Sequence, residues 1–377
     1  MTRIFLVAAE SSGDALGADL IRALRARDPK LEIVGIGGAA MAAQGVQSQA
    51  DISGLAVLGF VEGLMAYDRV RRAVKEAVSA ILAAAPDVVV LIDSWGFTLR
   101  VAQRVRAAAP QIKLVKYVGP QVWATRPGRA ETLARTVDHL IAIHDFEVPY
   151  YMPFGLPVTV CGHPAFGRFQ AGDGAAFRLR HGLAPEDKIL LVLPGSRAAE
   201  VRRIGPVLWS AADVLKRDRP ALRFAMVAAR SVSAEAREQA PPSTLIVDES
   251  EKEDAFAAAT AALAASGTVT TEVALQGAPL VVGYRVGAIT GALVKRVMRS
   301  PYATLMNVAA KREVAPEFLQ ERMTPENLVA AAAPLLDDPA KRDQRVREQD
   351  EALALMGRGG RPAAEIAADA VLGVLGA

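Results

Sequence analysis

At 377 residues the chain is longer than a single hydrophobic core usually supports, and with 51% apolar and 23% charged residues it has the composition of a folded globular protein, which excludes extensive disorder. Its 44 Lys plus Arg against 41 Asp plus Glu leave a net charge of +3, so no broad nucleic-acid-binding face is indicated. One cysteine, Cys161, excludes an intramolecular disulfide, the four histidines show no zinc spacing, and no apolar run approaches the roughly 18 residues a membrane-spanning helix needs. The opening "MTRIFLVAAE" is too short for a signal-peptide core, and the expectation is a cytoplasmic protein with peripheral membrane contact at most.

The first element is a buried strand, "RIFLVAA", which runs into Glu10-Ser-Ser-Gly-Asp14 and then into a helical Ala/Leu pattern without a G-x-G-x-x-G turn. Strand-like runs then alternate with helical ones: "EIVGIGG", "DVVVLID", "KLVKYVG" and "HLIAIH", then "ILLVLPG", "RFAMVAA", "STLIVD", "AALAASG" and "PLVVGYR". Continuous Val/Leu/Ile runs are the mark of parallel strands covered on both faces. A Gly-rich, strandless stretch near residues 165–172 is the natural boundary between two such α/β units, and beyond Thr324 the chain reads as helices. The expected partition is 1–168, 169–340 and a C-terminal helical segment, 341–377, that crosses back to the first domain. Two Rossmann-like domains of this kind leave a cleft lined by strand carboxyl ends, so functional residues are expected just after strands.

Three strand ends carry chemistry. "DVVVLIDSWGF" closes a strand on Asp93, which can serve as a general base or simply as a helix N-cap. "LVLPGSRAAEV" leads through Ser196 and Arg197 into a helix, a turn suited to a diphosphate, or a plain turn with an exposed arginine. "AASGTVTTEVAL" repeats the device with Ser266, Gly267 and Thr268 at a helix start and Glu272 one turn in, where a carboxylate can take ribose hydroxyls; the alternative is an N-cap serine and a solvated glutamate. His163, in "CGHPAF", reads as a hinge or packing residue.

Taken together and in order, "AAESSGDALGADLI", "GIGGAAM", "VLGFVEGL", "YVGPQVWATRPGR", "VDHLIAIHDFE", "VCGHPAF", "LPGSRAAEV", "SGTVTTEVAL" and "SPYATLMNVAAKREVAPEFLQ" resemble the lipid-A-disaccharide synthases, inverting glycosyltransferases of the two-Rossmann GT-B architecture. The resemblance implies transfer of 2,3-diacylglucosamine from UDP-2,3-diacylglucosamine to 2,3-diacylglucosamine 1-phosphate (lipid X), giving the β-1',6-linked disaccharide phosphate and UDP. It implies no cofactor, no metal and no nucleic-acid partner, and work on the cytoplasmic face of the inner membrane; a homodimer is compatible with it. By motif, Asp93 and Arg197 are the catalytic residues, Glu10, Ser12, Gly13 and Asp14 lie on the acceptor side, and Ser196, Ser266, Gly267, Thr268, Glu272, Asn307, Arg312 and Gln320 bind UDP. Leu55, Val57, Leu58, Phe60, Val61, Leu64 and Met65, followed by Arg69, Arg71, Arg72 and Lys75, suit contact with acyl chains and anionic headgroups. The basic segment "AITGALVKRVMRS" reads instead as a helix packed on the core.

The chain also departs from the family. Where the pattern after the aspartate is A-P-D-F-N or S-P-D-F-N, it reads Ser94-Trp95-Gly96-Phe97-Thr98, and A-W-R becomes Ala124-Thr125-Arg126. Three alternatives therefore stand beside the leading one: a paralogue with a changed acceptor, a UDP-sugar epimerase or hydrolase, and a non-catalytic UDP-sugar or glycolipid binder.

Overall fold

A computed structural model describes residues 2–50, 63–228, 232–287 and 298–376. The chain divides into two compact units, Met1–Gly167 with Gly357–Ala377, and Arg168–Met356.

The first unit is built on a parallel six-stranded sheet of β1 (Arg3–Ala8), β2 (Glu32–Ile36), β3 (Val88–Ile92), β4 (Lys113–Tyr117), β5 (His139–Ala142) and β6 (Val158–Val160), in the order β2-β1-β3-β4-β5-β6. All five residues of β3 are buried, as expected for a strand covered on both faces. On one face lie α3 (Gly63–Ala84) and α4 (Trp95–Ala108), whose Val74, Ala77, Ile81, Val101 and Val105 share a core with Phe5, Val7, Val89 and Leu91. On the other lies α1 (Ser11–Arg27), whose Leu16, Leu20, Ile21 and Leu24 recur at helical spacing and pack with Ile4, Leu6, Val88 and Val90.

The chain's last helix, Ala363–Leu375, belongs to this second layer. Its Ala363, Ala367, Ala368 and Val371 join the α1 core, while Asp369 pairs with Arg27 and, at 2.7 Å, with Arg361. The chain re-enters the first unit at Gly357, whose φ of 104° favours glycine and where an added Cβ would stand a tight 3.1 Å from Gly162. The expected 341–377 segment thus divides: Pro339–Leu355 packs against Leu305–Ala310 and Thr268–Leu275 in the second unit, and only the last helix lies in the first.

The second unit repeats the plan with β7 (Ile189–Leu193), β8 (Arg223–Val227), β9 (Leu245–Val247), β10 (Ala261–Ala265), β11 (Leu280–Tyr284) and β12 (Glu317–Leu319), in the order β12-β11-β10-β7-β8-β9. In open parallel sheets ligands sit at the strand carboxyl ends where the strand order reverses. That point falls between β1 and β3 in the first unit and between β7 and β10 in the second.

Candidate active site

At the first reversal, Ala8 of β1 lies opposite Ile92 of β3, so the loops beginning at Ala9 and Asp93 leave the sheet side by side. Two reciprocal bonds tie them together. Ser12, in the first turn of α1, donates its hydroxyl to Asp93 Oδ2 at 3.1 Å, and Ser94 donates to Glu10 Oε1 at 2.9 Å. Asp93 and Ser94 both hold left-handed backbone, with φ of 51° and 41°, a conformation that costs an L-residue roughly 1–2 kcal/mol. Beneath them Thr98 donates to the Asp93 carbonyl at 2.8 Å and the Ser94 carbonyl at 3.1 Å. Lys116, buried in β4, reaches the same turn, and burial pulls its ammonium down to about 7 while the Asp93 carboxylate acts in the opposite direction. The Asp93 carboxylate is half-buried, accepts the Ser12 hydroxyl and stands on a strained turn.

Asp14 does something else. It is buried, and its carboxylate accepts the backbone N–H groups of Gly38, Ala40 and Met41 at 2.7, 2.8 and 3.1 Å, which fixes the start of the short helix α2 (Ala39–Ala43) against α1. It holds the Gly38–Met41 turn in place, and three of its acceptor positions are taken by backbone donors. A Cβ on Gly13 would find its nearest neighbour, the Ile92 carbonyl, at an ordinary 3.5 Å, whereas one on Gly38 would stand 2.7 Å from Asp14 Oδ2, so the close approach falls at Gly38.

The ends of β4, β5 and β6 carry an aromatic wall. Val118 follows β4 with a φ of 69°, rare for a β-branched residue. His144 stacks on Phe146 at 4.8 Å and lies 5.7 Å from His163, while Trp123 meets Phe146 edge-on at 5.5 Å. Burial, helped by His163, holds the His144 imidazole down to about 3, and burial pushes the Glu147 carboxyl up to about 7 and the Cys161 thiol up to about 12. Near neutral pH His144 and Cys161 are thus uncharged. His163 is buried within this wall, as a packing residue would be.

At the second reversal β7 and β10 run in register, Leu193 opposite Ala264. Their loops line a cavity of about 260 Å³ with Gly195, Ser196, Ser266, Gly267, Thr268 and Glu272. The helix Thr268–Leu275 starts at this cavity, and the Ser266 and Thr268 hydroxyls have no partner among the described residues. Arg197 caps the helix Ala198–Asp218, with its side chain 78% exposed. Its guanidinium meets Glu200 Oε1 at 3.1 Å, and the Ser196 N–H donates to Glu200 Oε2 at 3.2 Å. Glu272 is paired with Lys252 at 3.1 Å.

Sequence reasoning missed Glu200 and Lys252. Glu200 stands three residues after the capping Arg197, the position of a capping-box acid, and could have been found on that spacing. Lys252 follows no strand directly and left no signal.

The "NVAAKREVAPEFLQ" block does not join the cavity. Asn307 is fully buried and closes the turn after its own helix, accepting from Val314 and Ala315 N–H at 2.8 and 2.9 Å and donating to the Ala315 carbonyl. Arg312 pairs on the surface with Glu351 at 2.8 Å. Gln320, with a φ of 53°, closes β12 and accepts from Val286 N–H at 3.4 Å. Leu55, Val57, Leu58, Phe60 and Val61 lie outside the described residues, as do the side chains of Leu64 and Met65. Among the described residues no group of His, Cys, Asp and Glu is placed to hold a metal, and no helix is long and apolar enough to cross a membrane.

Two parallel Rossmann-type sheets, one presenting a strained carboxylate turn and the other a cavity at the point where strand order reverses, define an α/β protein of the GT-B class. Solved structures agree on the fold. UDP-GlcNAc 2-epimerase from Neisseria meningitidis, bound to UDP-GlcNAc, matches with a TM-score of 0.65 at 12% identity over 99% of this chain and all of that one. The calicheamicin glycosyltransferase CalG4 matches with 0.59 at 17% identity over all of this chain and 98% of its own.

Sequence relatives narrow the class. The lipid-A-disaccharide synthetase family model matches residues 4–371, and the chain belongs to that family. The lipid-A-disaccharide synthase of Rhodospirillum centenum is 41% identical over 99% of this chain and 94% of its own length, and that of Pseudomonas aeruginosa is 39% identical over 89% and 90%.

Proposed function

We propose that the protein is a lipid-A-disaccharide synthase that transfers 2,3-diacylglucosamine from UDP-2,3-diacylglucosamine to the 6-hydroxyl of lipid X with inversion. Residues 1–168 take the acceptor and face the membrane, and residues 169–340 hold the UDP-sugar. The acceptor oxygen attacks the anomeric carbon as its proton passes to the Asp93 carboxylate. The bond from that carbon to the diphosphate breaks on the opposite face, and the electron pair leaves with UDP. Arg197 and the adjoining helix N-terminus stabilise the charge that develops there, while Glu272 takes ribose hydroxyls. Glu10 and Ser12 hold the Ser94 and Asp93 side of the site. Leu55 to Met65 meet the acyl chains at the cytoplasmic face of the inner membrane.

The observation that carries the reading is the turn at β3, where a carboxylate on left-handed backbone is braced by Ser12 and Thr98, in a chain that belongs to this family over nearly its whole length. The epimerases resemble it at 12–14% identity, a likeness of fold alone. The test is UDP release from UDP-2,3-diacylglucosamine in detergent micelles with and without lipid X, with the product followed by mass. Disaccharide phosphate formed only with lipid X is the expected result; free sugar released without acceptor would reject the transferase.

A further inference from the structure

The strand "KLVKY" carries a lysine where its neighbours are core residues. Alternation along β4 turns Leu114 and Lys116 to the α4 face and Val115 and Tyr117 to the α1 face, so Lys116 lies in the interior, 2% exposed. Lysine is almost never found there unless it is paired, because an ammonium loses its hydration on burial.

Among the described residues Lys116 makes no hydrogen bond to a carboxylate. Its Nζ donates to the Leu91 carbonyl at 3.2 Å, to the Asp93 carbonyl and to Thr98 Oγ1 at 3.0 Å. The three oxygens bracket the turn that joins β3 to α4: Leu91 lies near the end of the strand, Asp93 in the turn where it and Ser94 are both left-handed, and Thr98 in the first turn of the helix. Thr98 also donates to the Asp93 carbonyl, so that oxygen is gripped from below by two donors anchored on different elements. A methionine would fill the same space without the loss of hydration, so packing alone does not account for the charge.

We propose that Lys116 is a positioning residue for the glycosyl transfer: by clamping the Leu91 and Asp93 carbonyls it holds the left-handed Asp93–Ser94 turn and so aims the Asp93 carboxylate at the acceptor hydroxyl. This rests on the reading of Asp93 as the base. Lys116 touches no substrate, and its effect passes through the backbone of Asp93.

The experiment measures kcat, both KM values, UDP affinity by calorimetry and melting temperature for full-length Lys116→Met, Thr98→Val and Asp93→Asn, and for Lys116→Met in the Asp93→Asn background. A base displaced by an ångström can lose about 100-fold in rate, so Lys116→Met is expected to lower kcat on the order of 100-fold and Thr98→Val about 10-fold. UDP affinity should stay within about twofold and the melting temperature should not fall. In the Asp93→Asn background Lys116→Met should cost nothing further, a silence that a general structural defect would not produce.

A kcat within about threefold of the parent for Lys116→Met overturns the proposal. So does a loss that recurs at full size in the Asp93→Asn background. If Lys116→Met does not fold, Thr98→Val decides, and an unchanged kcat there is equally fatal. Should Asp93→Asn keep its rate, the base assignment fails first; should it lose its rate while Lys116→Met does not, this inference alone fails.

Discussion

The two strand-order reversals are built on one plan and finished in opposite ways. In the first unit the polar groups around the reversal are engaged with one another: Ser12 with Asp93, Ser94 with Glu10, and Thr98 and Lys116 with the carbonyl of Asp93. In the second unit the Ser266 and Thr268 hydroxyls stand open over a cavity, and a Cβ added to Gly267 would meet nothing within 4 Å. A group that must abstract a proton along one direction has to be aimed, which takes bonds and backbone strain. A site that receives an anion has to keep its donors available. The contrast sets a carboxylate turn braced on several sides against a loop in which the Ser196 N–H and Arg197 are held by Glu200 while two hydroxyls make no bond among the described residues.

The largest effect should come from breaking the aimed side. Asp93→Asn preserves shape and the Ser12 contact but cannot accept the proton, and kcat should fall by about 10²–10⁴. UDP affinity, which the proposed reading assigns to the other unit, should be unchanged by calorimetry. A rate within tenfold of the parent would remove Asp93 from the role of base. Arg197→Ala should come next, with a loss of about 10²–10³ in kcat, since it removes a donor from the leaving diphosphate. That loss should persist at saturating donor, and an effect confined to KM would make Arg197 a binding residue only.

A smaller change sharpens the comparison from the receiving side. Glu200 accepts from the Ser196 N–H and from Arg197, two of the donors a diphosphate would take. Glu200→Gln keeps the shape but removes a competing negative charge. UDP affinity should rise about threefold to tenfold, equivalent to about 1 kcal/mol. Weaker binding would show instead that Glu200 is needed to order the turn.

Much of this was legible from residue order. The long buried runs such as "DVVVLI" and "ILLVL" could only be strands covered on both faces, and their ends gave Glu10, Asp93, Ser196 and Ser266. β6 and β12 left no usable pattern: β9 is as short and also at an edge, but its "LIV" is wholly apolar, whereas "VTV" and "EFL" each include a polar residue. Lys116 escaped because a lysine in a strand reads as a solvent-facing residue, and only the packing of α4 shows which way it turns. Asn307 and Asp14 mark a different limit. Motif membership carried both to the ligand, while the fold uses their side chains to satisfy backbone groups in nearby turns.

The smallest effect concerns the aromatic wall and comes from two neighbours that titrate in opposite senses. His144 is held from an ordinary 6.5 down to about 3, so the unfolded chain binds its proton first and stability is lost as pH falls below 6.5. Glu147 is pushed from 4.5 up to about 7, so the folded chain binds its proton more tightly and stability is lost as pH rises from 4.5 toward 7. Each slope is about 1.4 kcal/mol per pH unit at most, and between pH 4.5 and 6.5 the two cancel. Urea midpoints across that window should therefore be nearly flat for these groups in the parent protein. Glu147→Gln should leave the histidine slope alone, so that the variant loses stability on acidification, while His144→Asn should leave the carboxyl slope and gain stability over the same range. Parallel pH profiles for the parent and Glu147→Gln would mean that the Glu147 carboxyl titrates alike in the folded and unfolded chain and that its burial is relieved in solution.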